Sequence, residues 1–165
     1  MDISFCIVTV TFNSRIQLLK TINSVQSQTF KNFSHIIKDG LSKDKTNEID
    51  FSNFKNTRFI ERKDFGVYSA MNQATDYLDN EFIIFLNSGD FFLSPNTLQE
   101  LALNIKKNPE YLEYSGGTIQ VDLNSKKLKR LIGFSNLYKI FPLSQLPHPS
   151  FIIRKSTLLK LHNPF

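Results

Sequence analysis

The chain has 165 residues, the size of one domain with a core of its own. Its 41% hydrophobic and 21% charged residues are ordinary globular usage and exclude a disordered or fibrous chain. A net charge of +5 favours anionic partners, whether nucleotide phosphates, acidic lipids or nucleic acid, without choosing among them. Part of that excess lies in Lys126, Lys127, Lys129 and Arg130, read as a solvated hairpin face with membrane-surface contact as the alternative. The lone Cys6, inside an apolar run, excludes an internal disulfide and reads as a small buried hydrophobe. No stretch approaches the ~20 apolar residues of a membrane-spanning helix, and no signal-peptide pattern opens the chain, so a cytoplasmic location is expected.

Residues 3–10 (ISFCIVTV) form an apolar, β-branched run expected to be a strand buried on both faces. Ser14 is placed to cap a helix bearing Ile16, Leu19, Ile22 and Val25 at helical spacing. A short strand over 33–38 leads into Asp39-Gly40-Leu41-Ser42. Thr46 opens a short helix with Ile49, and residues 57–61 (TRFIE) read as a third strand. Val67, Ala70, Met71, Ala74 and Leu78 form a helical stripe, and residues 81–86 (EFIIFL) a further strand ending in Asn87-Ser88-Gly89-Asp90. Ser94 and Pro95 open a helix with Leu98, Leu101, Ala102 and Ile105 on one face. Alternation of strand and helix predicts an α/β domain around a mostly parallel sheet. Beyond Pro109 the pattern shifts to strands over 111–115 and 118–123, the second ending in an Asn124-Ser125 turn. A last strand is expected over 150–153, with Ser156 capping a short helix.

Ligands of open parallel sheets bind beyond the carboxyl ends of the strands. Three such ends carry polar clusters: Thr9–Asn13, Asp39–Asp44 and Asn87–Asp90. A strand that delivers Asp90 after a small, flexible pair suits a hard divalent cation, which takes one or two carboxylates along with substrate phosphates. The same four residues also have the composition of a plain turn. Asp39 is open to the same two readings, as a hydrogen-bond acceptor for a base or ribose or as a loop residue. Gly40 beside it permits a tight bend.

Taken in order, VTVTFN (8–13), SVQSQTF (24–30), DGLSKDKT (39–46), DFGVYSAMNQA (64–74) and FLNSGD (85–90) resemble glycosyltransferase family 2, and the small bacterial enzymes of polysaccharide and surface-glycan synthesis in particular. LPHPSFIIRKS (146–156) resembles the acceptor-side strand of that group. The resemblance implies a GT-A fold and inverting sugar transfer from a nucleotide-diphosphate sugar, UDP ahead of GDP, to a glycan or lipid-linked acceptor. It implies Mn2+ or Mg2+ as cofactor and a site at the inner face of the membrane. Carried over residue by residue, it assigns nucleotide binding to Thr9, Thr11, Asn13, Asp39, Asp64, Gly66, Asn72, Ser88 and Gly89. The metal falls to Asp90, with His148 as a further ligand and Arg154 as a phosphate-binding cation.

Two features depart from the family pattern. Asn87 and Gly89 stand where the metal motif is often acidic. Relatives place the general base after the acceptor-side strand, whereas this chain has no acidic residue after Asp122. The expectation is therefore one C-terminally truncated domain, 1–165. Residues 1–108 would bind the nucleotide sugar, residues 109–165 would begin the acceptor side, and the base would lie beyond Phe165 unless Asp64 serves. A nucleotidyltransferase is disfavoured because Thr11–Arg15 lacks glycine. A noncatalytic nucleotide- or glycan-binding module stays open. No motif supports nucleic-acid binding, and the oligomeric state is not legible.

Overall fold

The apolar run at the start of the chain becomes β1 (Phe5–Thr11), every residue of which is buried. This computed structural model describes residues 2–110, 113–121, 128–132, 149, 151–161 and 164–165. After β1 come α1 (Arg15–Gln26), β2 (Phe33–Asp39), β3 (Thr57–Glu61), α2 (Val67–Ala74), β4 (Phe82–Phe85) and α3 (Thr97–Lys107). The remaining elements are β5 (Glu113–Ser115), β6 (Thr118–Val121), β7 (Leu128–Ile132), β8 (Phe151–Arg154) and the single turn α4 (Lys155–Leu158). Six strands form one sheet in the order β3-β2-β1-β4-β8-β5, while β6 and β7 pair as a separate antiparallel ribbon. Strands β1 to β4 run parallel. β8 enters antiparallel between β4 and β5.

Successive side chains of a strand point to opposite faces, and β1 divides its run accordingly. Phe5 and Ile7 pack with Val25 of α1 and with Leu98, Ala102 and Ile105 of α3. Cys6, Val8 and Val10 pack with Ala70, Met71 and Ala74 of α2 and with Leu158 of α4. Helices thus cover both faces, which is why the central strands are apolar throughout rather than alternating. Each large apolar side chain so buried stabilises the fold by about 1.5–3 kcal/mol. Burial also pushes the Cys6 thiol up to about 12, so it stays protonated and inert. Among the described residues no helix is long and apolar enough to cross a membrane.

Helix starts depart from the local expectations because the caps come from afar. Ser14 makes no side-chain cap; its hydroxyl donates to the Phe12 carbonyl. The first amide of α1, Arg15 N–H, is instead taken by Asp44 at 2.7 Å. The Asp44 carboxyl is slightly desolvated, but hydrogen bonds from Thr46 and the Arg15 backbone outweigh that and hold it below its usual range. Thr46 begins only a 3-10 turn over Thr46–Glu48. Ser94 and Pro95 lie before α3 in a turn, and the fully buried Gln28 clamps it. Its Nε2 donates to Ser94 O at 2.8 Å, and its Oε1 accepts from Leu98 N at 3.1 Å. Ser156 lies inside α4 and does not precede it. The Asn124-Ser125 turn, with Lys126 and Lys127, lies outside the described residues.

His35 is fully buried on β2. Thr9 Oγ1 donates to Leu86 O at 2.7 Å, so it accepts from His35 Nε2 at 2.9 Å; the ring carries its proton there, and Nδ1 is bare. Burial lowers this imidazole from 6.5 to about 3. Between those values the unfolded chain binds a proton that the folded chain does not, so stability falls as pH is lowered. Urea unfolding should show a midpoint that drops from pH 7.5 to pH 5, with up to about 1.4 kcal/mol lost per pH unit from this one site. His35→Leu should flatten that slope, and an unchanged slope would show that His35 is not its source.

Candidate functional site

The parallel register sets Thr11 directly beside Asp39 and Asp39 beside Glu61, so β1, β2 and β3 release their chains at one level. The loops beyond them are laced together. Gly40 N donates to Thr11 O at 3.0 Å. Asn13 takes a left-handed conformation, φ 49°, in which its Oδ1 accepts from Lys43 N at 2.7 Å and its own N–H donates to Ser42 Oγ at 2.8 Å. The buried Asp39 carboxylate accepts both the backbone N–H and the hydroxyl of Ser42.

From β4 the chain continues the ladder with β1, Ser88 N donating to Val10 O at 3.1 Å. The turn is then pinned to α1 by the buried Thr21, whose hydroxyl accepts from Gly89 N and donates to Asp90 O at 2.8 Å. Asp90 is half-buried; burial raises its carboxyl above the usual carboxylate range, partly offset by the Asn87 backbone N–H.

The third wall rests on Lys38. This side chain is fully buried, and its ammonium donates to Asp39 O at 3.0 Å, Arg62 O at 2.7 Å and Asp64 Oδ2 at 2.6 Å. The other oxygen of Asp64 accepts from Gly66 N at 3.1 Å. Gly66 leads into α2 at φ 114°, a conformation that needs glycine. Gly40 faces this carboxylate so closely that a Cβ would stand 2.8 Å from Asp64 Oδ2.

Between these loops lies a cleft of ≈ 770 Å³, within the usual size of ligand pockets. A second cavity of ≈ 570 Å³, lined by Lys31, Ser34, Arg58 and Asp79, opens at the amino ends of β2 and β3. The first is the candidate site, because ligands of parallel sheets bind at the carboxyl ends. Two oxygens there, Thr11 Oγ1 and Asn87 Oδ1, are buried and have no partner among the described residues. Native structures seldom leave such groups unsatisfied, so these two are open to a water or to a polar ligand. Asp90 beside Asn87 supplies hard oxygen donors of the kind that suit Mg2+ or Mn2+. Among the described residues no three His, Cys, Asp or Glu gather into a protein-only metal cage, so such an ion would depend on phosphate oxygens as well.

Of the residues singled out in the sequence, Thr11, Asp64, Gly66 and Ser88 line the cleft. Gly89 and Asp90 occupy the adjoining turn, and Asn13 and Asp39 hold the loops together. Three of the assigned residues make other contacts in this structure. Thr9 is fully buried and spends its hydroxyl on Leu86 and His35, so it supports the site from beneath. Asn72 turns its amide to the backbone of Phe165, donating to its carbonyl at 2.8 Å. Arg154 pairs with Phe82 at the far end of β4, where it bonds Glu81 and stacks 4.7 Å over the Phe82 ring. Asp64 has one oxygen on Lys38 and the other on the Gly66 amide, and it lines the cleft. His148 lies outside the described residues. Sequence reasoning passes over Lys38, Lys43, Lys63 and Phe12. Of these, only Lys38 carries a signal, a charge directly after the apolar pair Ile36-Ile37 within the expected strand.

The family model described as glycosyl transferase family 2 matches residues 6–160. A PGL/p-HBAD biosynthesis glycosyltransferase of Mycobacterium bovis is 31% identical over 117 residues, covering 67% of this chain and 45% of the relative. The UDP-Glc:alpha-D-GlcNAc-diphosphoundecaprenol beta-1,3-glucosyltransferase WfgD of Escherichia coli is 25% identical over 113 residues with the same coverage. The chain thus spans a little under half the length of these curated relatives. The crystal structure of S. aureus TarS 1-349 in complex with UDP-GlcNAc superposes with a TM-score of 0.74 at 22% identity, over 96% of this chain and 47% of that one. The mannosyltransferase PcManGT from Pyrobaculum calidifontis, in complex with GDP-Man and Mn2+, gives 0.61 at 15% identity, over 68% and 34%. These two likenesses bear on the fold, which is of the GT-A type.

Breaking a buried ion pair by removing one partner leaves an uncompensated charge and costs about 3–5 kcal/mol. Asp64→Ala should therefore destabilise the protein by about that much in urea unfolding. The double variant Lys38→Met with Asp64→Ala should cost less than the sum of the single changes. Additive losses would show that the two groups do not act as a pair.

Proposed function

The chain belongs to glycosyl transferase family 2, and from that premise we propose that it forms the nucleotide-sugar-binding side of an inverting glycosyltransferase of bacterial cell-surface glycan synthesis. The observation that carries this reading is the cleft at the carboxyl ends of four parallel strands, with Thr11 Oγ1 and Asn87 Oδ1 buried and unpartnered at its wall. Residues 1–108 hold the nucleotide-diphosphate sugar, and residues 109–165 begin the acceptor side. UDP is preferred to GDP because the names of TarS and WfgD carry UDP-GlcNAc and UDP-Glc. The acceptor is a glycan or lipid-linked glycan, by analogy with the diphosphoundecaprenol in the name of WfgD. With such an acceptor, we read the protein as acting on the cytoplasmic side, against the inner face of the membrane.

In this reading the acceptor hydroxyl attacks the anomeric carbon as the bond to the diphosphate breaks, and a base takes the hydroxyl proton. The loops of β1 and β2 hold the nucleoside, their spacing set by the Asn13, Asp39 and Ser42 bonds. Thr11 and Ser88 offer hydroxyls, and Asn87 an amide oxygen, to the polar part of the donor. Asp90 and Asn87 are the residues placed to hold Mn2+ or Mg2+. When bound, such a cation neutralises the charge that builds on the departing diphosphate.

Calorimetry with UDP, GDP and their sugars, with and without Mn2+, tests this. A nucleotide should bind, more tightly with Mn2+, and Asp90→Ala should remove the Mn2+ effect while sparing the affinity measured without metal. A retained Mn2+ effect would take the metal role from Asp90. Failure of every nucleotide to bind would overturn the proposed function.

A further inference from the structure

The donor cleft is more cationic than its residue types suggest, and the cause lies beneath its floor. Asp64 is the only carboxylate among the described residues that line it. The pair it makes with the buried Lys38 sums to zero charge. Lys43 and Lys63 line the same cleft, both exposed, and neither ammonium joins an ion pair among the described residues. They stand on different walls, Lys43 after β2 and Lys63 after β3. The main chain of each is held in place: Lys43 N–H donates to Asn13 Oδ1 at 2.7 Å, and Lys63 O accepts from Gln73 Nε2 at 3.0 Å. The amino end of α2, through Gly66 and Val67, opens on the same space and adds the partial positive charge of a helix start. The unpartnered hydroxyl of Thr11 is a further polar contact there.

We propose that Lys43, after β2, and Lys63, after β3, together hold the diphosphate of the nucleotide sugar in the cleft. This rests on the reading of the cleft as the donor site. Two ammonium groups match the charge of a diphosphate, and Asp90 is the one acidic side chain in the turn over 87–90. The clamp gives nucleotide binding a component that needs no metal and that weakens with salt.

The test is calorimetry with UDP and GDP against uridine and guanosine, in EDTA, at low and high salt. Lys43→Ala with Lys63→Ala should weaken diphosphate binding by roughly tenfold or more, since each removes a charge-assisted contact. It should also flatten the salt dependence and leave nucleoside binding and the thermal midpoint unchanged. Lys43→Arg with Lys63→Arg should restore most of the affinity. An unaltered UDP or GDP affinity in the double alanine variant would overturn the clamp alone. If the unaltered protein binds neither nucleotides nor nucleosides, the donor-site reading fails and the clamp with it.

Discussion

One ammonium group organises the cleft. Lys38 sits in the sheet with no exposure, in surroundings where an unpaired charge would cost several kcal/mol. It is tolerated because three oxygens converge on it from the end of β2, from Arg62 after β3, and from Asp64 before α2. Those acceptors belong to the loops that wall the cleft, so solvation of one buried charge is also the constraint on loop geometry. Asp64 carries the constraint onward through Gly66 to the start of α2, and the absence of a Cβ at Gly40 leaves it room.

Around that anchor the parallel register does the rest. Because Thr11, Asp39 and Glu61 lie side by side, the loops beyond them leave the sheet together, and short polar side chains can bridge them. Asn13, Ser42 and Asp44 are spent in this way, as is Thr21 on the turn that bears Asp90. Polar groups so engaged cost little to bury and are not free to bind a ligand. Among the described residues, Thr11 and Asn87 keep unpartnered oxygens, and Lys43 and Lys63 keep ammonium groups outside any ion pair.

The same logic separates support from function among residues that look alike in the chain. Thr9 and Thr11 are two apart on one strand and so face the same side, yet Thr9 lies over His35 while Thr11 reaches the rim. Arg154 resembles a phosphate ligand by its neighbourhood in the chain. The antiparallel entry of β8 carries it to the other end of the sheet, against Glu81 and Phe82.

By itself the sequence determined the α/β class, the central apolar strands, the third strand over Thr57–Glu61 and the buried Ala70, Met71 and Ala74 of α2, since burial on both faces and helical spacing are written in the order of residue types. Leu78 falls beyond that helix. It also determined the family, because its five motifs keep their order along the chain. It marked the strand ends as the place for a ligand. Tertiary structure decided which polar residues at those ends are free. It also decided that Asp44 and Gln28 cap helices far from them in the chain, and that β8 runs antiparallel between β4 and β5. Those outcomes depend on hydrogen-bond partners tens of residues away. Residue type states what a side chain can bond to, and only the folded chain settles which partner reaches it first.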